Sequence, residues 1–284
     1  MKELLTLVIP VYNEEKALNI LIEKFVELEK MLNIIFVDDF SYDNSRLMLK
    51  EKDFNVISHP YNKGYGASLK TGIRNAKTPY ICIMDADFQH RIEDLWKLTQ
   101  YMNDFDTVIG ARSSESHFPL FRRPGKFLIN KFASYVAGFK IKDINSGLRI
   151  FKKNDIERFI DILPNGFSFT TTSTLLFIKS GYSIKYIPVT VEKRVGKSSV
   201  KIKDGIRTLL LILKTLMLFC PLKFFVPLSA FLLFSGFGFI GLEFYLYNII
   251  NVSTSALLLF ISSLLVFLFG MISEQISQLK RITR

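Results

Sequence analysis

Over the first two hundred residues, short apolar runs alternate with segments whose apolar positions recur at helical spacing. The runs "LLTLVIPVY" (4–12), "NIIFVDD" (33–39), "FNVISH" (54–59) and "PYICIMDAD" (79–87) have strand length and are nearly continuous in apolar side chains. Between them, "EKALNILIEKFVELEKML" places Leu18, Leu21, Ile22, Phe25, Leu28, Met31 and Leu32 on one helical face, and "SRLMLKEK" and "GASLKTGIRNA" read as shorter helices. This βαβαβαβ order predicts an α/β domain with a mainly parallel sheet and helices on both faces. Such sheets bind ligands at the carboxyl ends of their strands. Polar clusters stand at those ends: "YNEE" after the first strand, "DDFS" after the second and "DADFQH" after the fourth.

The pattern changes after residue 203. "DGIRTLLLILKTLMLF" (204–219) is apolar over most of its circumference, with Arg207 and Lys214 seven apart. It predicts a helix lying in a membrane interface, a core helix being the other reading of the same periodicity. From Leu222 to Ile250 only Lys223 and Glu243 are charged, and Thr254 to Ser273 carries no charge. A spanning helix needs about 20 apolar residues, so two transmembrane helices are expected at about 224–249 and 254–273. The division is then 1–203 as a soluble domain, 204–220 as an interfacial helix and 222–284 as a membrane anchor. Eight Lys or Arg against two acidic residues between Lys185 and Lys214, and three more in the tail "QLKRITR", put both ends and the soluble domain in the cytosol of a multi-pass membrane protein. Glu243 lies near the outer end of its helix, where snorkelling to the interface explains it.

Composition agrees. The 284 residues include 27 phenylalanines, and a mean hydropathy of +0.25 is high for a wholly soluble chain. The net charge of +11 fits an anionic membrane surface, because the densest basic segment leads into the first span. No module of interleaved basic and aromatic residues supports nucleic-acid binding. Cys82 and Cys220 offer no disulfide framework, and the apolar start of the chain reads as a strand and not as a signal peptide.

Asp85 and Asp87 are two apart, so in an extended backbone both carboxylates point to one side. Like charges held that close suit a hard divalent cation, Mg²⁺ or Mn²⁺. The plainer reading is an acidic turn with Asp87 capping the next helix. "YNEE" likewise reads as a helix start capped by Asn13, and "DD" as a turn cap. The run Gly64-Tyr65-Gly66 is not a dinucleotide fingerprint, since Leu69 stands where a third glycine belongs and the run follows the third strand.

Taken in order, "VIPVYNEE", "VDDFSYDNS", "NKGYGASLKTGIRNA", "DADFQH", "DINSGLRIF" and "RVGKSS" resemble the motifs of family 2 inverting glycosyltransferases. The nearest branch is that of dolichyl-phosphate mannose synthase and the bacterial polyprenyl-phosphate glycosyltransferases. The likeness covers roughly residues 4 to 220 and implies a GT-A, Rossmann-like fold. It further implies that Pro10, Tyr12 and Glu14 line the nucleotide base and ribose, that Asp39 contacts the base, and that Asp85, Asp87 and Gln89 hold the metal against the donor diphosphate. His90 follows that motif as a histidine often does in the family. The resemblance makes 110–127 an acceptor loop in which Arg112 with Arg122 or Arg123 holds a lipid phosphate, a solvated loop being the alternative for Arg122 and Arg123. Asp143, Ser146 and Arg149 fall at the donor sugar or the acceptor, and Arg194, Lys197 and Ser198 in a later phosphate-binding segment. Asp87, Arg112 and Arg149 are thus the expected catalytic residues.

The implied reaction moves a hexose from a nucleotide sugar to a polyprenyl phosphate with inversion, using Mg²⁺ or Mn²⁺. GDP-mannose and UDP-glucose are the donor types, and the product is a lipid-linked sugar for glycan assembly. A lipid phosphate is already anionic near neutral pH and needs no strong general base. No Gln-x-x-Arg-Trp motif of processive synthases is present; the one tryptophan, Trp96, falls in the helix after the metal motif. The alternatives are a tethered family 2 transferase with a non-lipid glycan acceptor, and a nucleotide-sugar-binding membrane protein without catalysis. A homo-oligomer is compatible with either.

Overall fold

The computed structural model describes residues 1–87, 91–112, 142–144, 146–166, 168–191, 217, 220–247 and 252–282. These fall into two compact units, residues 1–201 and 202–284.

The first unit is built on a seven-stranded sheet: β1 (Leu5–Val11), β2 (Asn33–Asp38), β3 (Val56–Ser58), β4 (Tyr80–Ile83), β5 (Thr107–Arg112), β6 (Arg149–Lys152) and β7 (Ile184–Val189). Its helices are α1 (Glu15–Glu29), α2 (Ser45–Glu51), α3 (Tyr65–Asn75), α4 (Ile92–Thr99), α5 (Lys153–Glu157) and α6 (Phe169–Lys179). The strand order is β3-β2-β1-β4-β6-β5-β7. All neighbouring pairs are parallel except those of β6, which runs against both β4 and β5. The four strands expected from the apolar runs are present, each within a residue or a few of its expected bounds. The structure adds three strands and the single reversal.

β1 and β2 are buried on both faces, which is why they read as continuous apolar runs and not as alternation. Leu5, Leu7 and Ile9 of β1 share one core with Leu18, Leu21, Phe25 and Leu28 of α1 and with Leu95 and Leu98 of α4. On the opposite face, a Cβ on Gly72 of α3 would run into the Val8 side chain, so the glycine lets helix and strand approach closely.

The sheet order reverses between β1 and β4: β2 and β3 extend to one side of β1, and β4 with the remaining strands lies on the other. The β1–β4 ladder ends at Val8 and Ile83, with Met84 N donating to Val8 O at 3.2 Å. Beyond that point the strands part. Pro10, whose missing N–H would weaken a central ladder, lies past the last β1–β4 pair while still in register with Val37 of β2. An opening at a reversal of strand order is where open α/β sheets place their ligands.

The second unit contains two long helices, α7 (Leu222–Tyr247) and α8 (Thr254–Ile282). Both are long and apolar enough to cross a bilayer, over Leu222–Tyr247 and Thr254–Gln278. They pack against each other through small residues. Ser263 Oγ donates to Ser229 O at 2.8 Å, Gly236 makes room for Phe260, and Gly270 makes room for Phe225. Their outward faces carry large exposed apolar groups such as Phe231, Phe234 and Phe269. Of the segment 204–220, expected as an interfacial helix, only Met217 and Cys220 are among the described residues.

Candidate active site

The loops after β1 and β2 are built against one another. Asn13 has φ 55° and Phe40 φ 66°, left-handed conformations that cost a non-glycine residue roughly 1–2 kcal/mol. Hydrogen bonds across the loops hold them. The Asn13 side-chain carbonyl accepts from Tyr42 N at 2.8 Å, and Asn13 N donates to Ser41 Oγ at 3.1 Å. Asn13 therefore does not cap α1 as the sequence suggested. The N-cap is Glu14, and the first orphan amides find acceptors on the other loop: Glu14 N on Ser45 Oγ at 2.9 Å and Glu15 N on Asp43 Oδ2 at 3.1 Å. At the mouth of these loops Tyr12, Phe40 and Tyr42 are exposed, with ring centroids 6.5 Å apart for Tyr12–Tyr42 and 5.2 Å for Phe40–Tyr42. Pro10 is half-buried.

Asp38 and Asp39 are both buried. Asp38 Oδ1 accepts from Ser41 N at 3.1 Å, the turn-cap role. Asp39 has a larger task. Its Oδ1 accepts from Lys63 N at 2.8 Å and lies 2.8 Å from His59 Nδ1, and its Oδ2 accepts from Gly64 N at 2.8 Å. The other ring nitrogen of His59, Nε2, lies 2.9 Å from the Thr71 hydroxyl, so the imidazole bridges Asp39 to α3. Asp39 thus joins the end of β2 to the loop that starts α3. His59 was missed in the sequence, though a polar residue ending an apolar strand on this edge was the available signal.

Asp85 and Asp87 follow β4 directly, on the opening side of the reversal. Asp87 is buried and Asp85 half-buried. Asp85 Oδ1 accepts from the Tyr65 hydroxyl at 2.8 Å, and its Oδ2 fills the place that a Cβ on Gly147 would take. Burial first, and then the Asp85 carboxylate, hold the Tyr65 pKa well above its ordinary value, so this hydroxyl is a donor at every physiological pH.

Arg112 and Asp143 pair where β5 ends. Arg112 Nε lies 3.5 Å from Asp143 Oδ2, and Arg112 N donates to the same oxygen at 3.4 Å. Arg149 lies in the interior behind this pair. The resemblance implies a catalytic Arg149 at the donor sugar or the acceptor, whereas its side chain is 0% exposed and its donors are taken up by protein acceptors. Nε donates to Ser146 O at 3.0 Å and Nη2 to Ser146 O at 2.7 Å, with Ile144 O at 3.3 Å. Nη1 donates to Thr170 O at 2.9 Å and to Thr174 Oγ1 at 2.9 Å. Burial pushes its pKa down, opposed by Tyr65, Tyr186, Asp143 and Asp85 nearby. Arg149 therefore holds the 144–147 loop against α6 from within. Ser146 is also buried, its hydroxyl bonded within its own loop to Leu148. Gln89, His90, Arg122, Arg123, Arg194, Lys197 and Ser198 lie outside the described residues.

The model of the family described as "Glycosyl transferase family 2" matches residues 6–160, from β1 through the acidic pair to α5. The chain belongs to glycosyl transferase family 2. In this glycosyltransferase a second model, "GtrB C-terminal hairpin", matches residues 220–279, which include α7 and most of α8. An uncharacterised protein of Methanocaldococcus jannaschii is 30% identical over 198 residues, covering 66% of this chain and 81% of that one. Undecaprenyl-phosphate 4-deoxy-4-formamido-L-arabinose transferase of Proteus mirabilis is 31% identical over 182 residues, 57% of this chain and 56% of the transferase. The match thus spans a little over half the length of that relative. Among solved structures, glucosyl-3-phosphoglycerate synthase of Mycobacterium tuberculosis with Mn²⁺, UDP and glucosyl-3-phosphoglycerate has a TM-score of 0.57 at 16% identity, over 77% of this chain and 80% of that one. Mannosyl-3-phosphoglycerate synthase of Rubrobacter xylanophilus has a TM-score of 0.57 at 15% identity, over 75% and 72%. These likenesses establish the GT-A fold.

Proposed function

We propose that the chain transfers a hexose from a nucleotide sugar of the GDP-mannose or UDP-glucose type to the phosphate of a polyprenyl phosphate at the cytosolic membrane face. The observation that carries this reading is the combination of an acidic pair at the reversal of a family 2 sheet with a C-terminal hairpin of two apolar helices. Curated relatives that act on undecaprenyl phosphate support the acceptor class, and a fold neighbour holding UDP supports the donor class.

In this reading Pro10, Tyr12 and Glu14 receive the base and ribose at the joined β1 and β2 loops, and Asp39, which also holds the Lys63 and Gly64 amides, contacts the base. Asp85 and Asp87, with Gln89, would hold a divalent cation. The donor set fits Mg²⁺ or Mn²⁺: two carboxylates just past a strand end are hard oxygen ligands, and the one hydrogen bond that Asp85 accepts from Tyr65 leaves its remaining acceptor positions for a cation. When bound, such an ion supplies charge neutralisation at the departing diphosphate. The acceptor phosphate brings its own negative charge, so the remaining work of the chain is to position it in line with the sugar C1. Arg112 and, from the segments beyond, Arg122, Arg123, Arg194, Lys197 and Ser198 are proposed to hold that phosphate. As the C1–O bond to the diphosphate breaks, a C1–O bond to the lipid phosphate forms on the opposite face, which inverts the anomeric centre. Residues 1–203 would act from the cytosol, 204–220 along the interface, and the hairpin would keep the site at the bilayer where its acceptor lies.

The test is nucleotide release from a panel of nucleotide sugars by the full chain in proteoliposomes, with and without undecaprenyl phosphate. Release that depends on the lipid and is selective for one sugar supports the reading. Release stimulated only by a non-lipid glycan replaces the acceptor, and no release with any donor favours a binding protein.

A further inference from the structure

The run Gly64-Tyr65-Gly66 lacks the third glycine of a dinucleotide fingerprint, yet its two glycines are structurally demanded. Gly64 has φ 100°, a value that side chains disfavour, and a Cβ there would stand 2.6 Å from Asn165 O. A Cβ on Gly66 would collide with Pro164 O. The start of α3 therefore lies directly on the backbone of residues 164–166, where Ala67 N donates to Asn165 O at 3.0 Å and Lys70 Nζ to Asn165 Oδ1 at 2.9 Å. From the other side, Asp39 holds the Lys63 and Gly64 amides. The residue caught between these two anchors is Tyr65, and its hydroxyl meets Asp85.

The opposite side of Asp85 is prepared with equal economy. Arg149 fixes the Ile144 and Ser146 carbonyls, and the next residue, Gly147, leaves the space that Asp85 Oδ2 occupies. A carboxylate on its own rotates broadly about its last torsion. Here one oxygen is hydrogen-bonded to Tyr65 and the other occupies the space that the missing side chain of Gly147 leaves, which favours one orientation of Asp85. A carboxylate has about four acceptor positions, so a single tyrosine hydrogen bond leaves capacity for a cation.

We propose that Tyr65 and Gly147 set the orientation of Asp85, making Tyr65 a positioning residue for the divalent cation and the donor diphosphate. This rests on the metal reading of Asp85 and Asp87 given above. Hydrogen bonds to ligating carboxylates tune metal sites, and removing one typically weakens metal binding by about 10–100-fold.

The experiment is a Mn²⁺ titration of the purified full chain, followed by the paramagnetic resonance signal of free Mn²⁺ in the presence of UDP and, separately, of GDP. Tyr65→Phe keeps the ring and deletes only the hydroxyl; Gly147→Ala keeps the hydroxyl and displaces the carboxylate. Both are expected to weaken Mn²⁺ by about tenfold or more, with the circular dichroism spectrum unchanged for Tyr65→Phe. Asp85→Asn is the reference and should weaken Mn²⁺ at least as much. If Asp85→Asn loses Mn²⁺ while both other variants bind it within twofold of the parent, the positioning role is overturned and the metal reading stands. If Asp85→Asn itself binds Mn²⁺ like the parent, the metal reading falls and takes this inference with it.

Discussion

His59 Nδ1 lies 2.8 Å from Asp39 Oδ1, with both side chains buried at the carboxyl edge of the sheet. The same carboxylate holds the Lys63 and Gly64 amides, so one residue unites the end of β2, the end of β3 and the start of α3. Asp39→Ala would leave two amides and an imidazole without their acceptor. Buried groups left unpaired cost about 1–3 kcal/mol each, and a loss of roughly 3 kcal/mol is expected after relaxation. Chemical denaturation of the purified protein, followed by the far-ultraviolet signal, measures it. A variant as stable as the parent would show that these bonds contribute little.

Arg149 is a buried cation whose recorded bonds are to carbonyls and hydroxyls. Lysine has three donors on a point charge and cannot reproduce a fork that reaches Ser146, Ile144 and the first turn of α6. Arg149→Lys should cost about 2 kcal/mol and Arg149→Met more, because Met removes every donor that the Ile144 and Ser146 carbonyls receive from this side chain. Since the guanidinium reaches no solvent, the loss should appear first in the thermal midpoint. An Arg149→Lys protein of parental stability with no transfer activity would return Arg149 to direct contact with substrate.

The Tyr186 hydroxyl is buried without a hydrogen-bond partner among the described residues, and burial pushes its pKa up to about 12. Tyr186→Phe should therefore be neutral, or stabilising by about 1 kcal/mol, at pH 7. The folded pKa is raised above an unfolded value of about 10, so the unfolded chain loses its proton first. Stability linked to this group is complete below pH about 10 and is lost as the pH rises toward 12. Denaturation midpoints at neutral and alkaline pH should show a gap between Tyr186→Phe and the parent that widens above pH about 10. A constant gap would contradict the assignment.

Much of this architecture can be read from the chain because buried parallel strands are written as unbroken apolar runs. β1, β2 and β4 announce themselves in that way, and the acidic residues that end β2 and β4 mark the functional edge. The later strands do not. β6 has four residues, and β7 contains Pro188 at the sheet's edge, so neither has the length or the regularity of a pattern. α6 opens on "FTTTSTLLF", a run of β-branched residues that weakens a helix signal, yet Thr170 and Thr174 bind the Arg149 guanidinium there. Arg149 could be read as a motif residue, but its burial depends on acceptors more than twenty residues away. For the same reason Gly64-Tyr65-Gly66 was conspicuous without being intelligible. Its meaning lies in the 164–166 backbone and in Asp85, which no local spacing encodes.

Metal dependence separates the proposed reaction from mere binding. The full chain in proteoliposomes containing undecaprenyl phosphate should lose transfer when EDTA removes divalent ions and regain it with excess Mg²⁺ or Mn²⁺. Full activity in EDTA would leave Asp85 and Asp87 without the role given to them.

The most direct measurement follows a radiolabelled nucleotide sugar into the organic phase in those proteoliposomes, comparing the parent with Asp87→Asn. The account predicts lipid-extractable label from one sugar, falling by at least about 100-fold in the variant, equivalent to about 2.7 kcal/mol of lost transition-state stabilisation. Label that enters the organic phase equally well with Asp87→Asn, or label found only in water-soluble product, would contradict it.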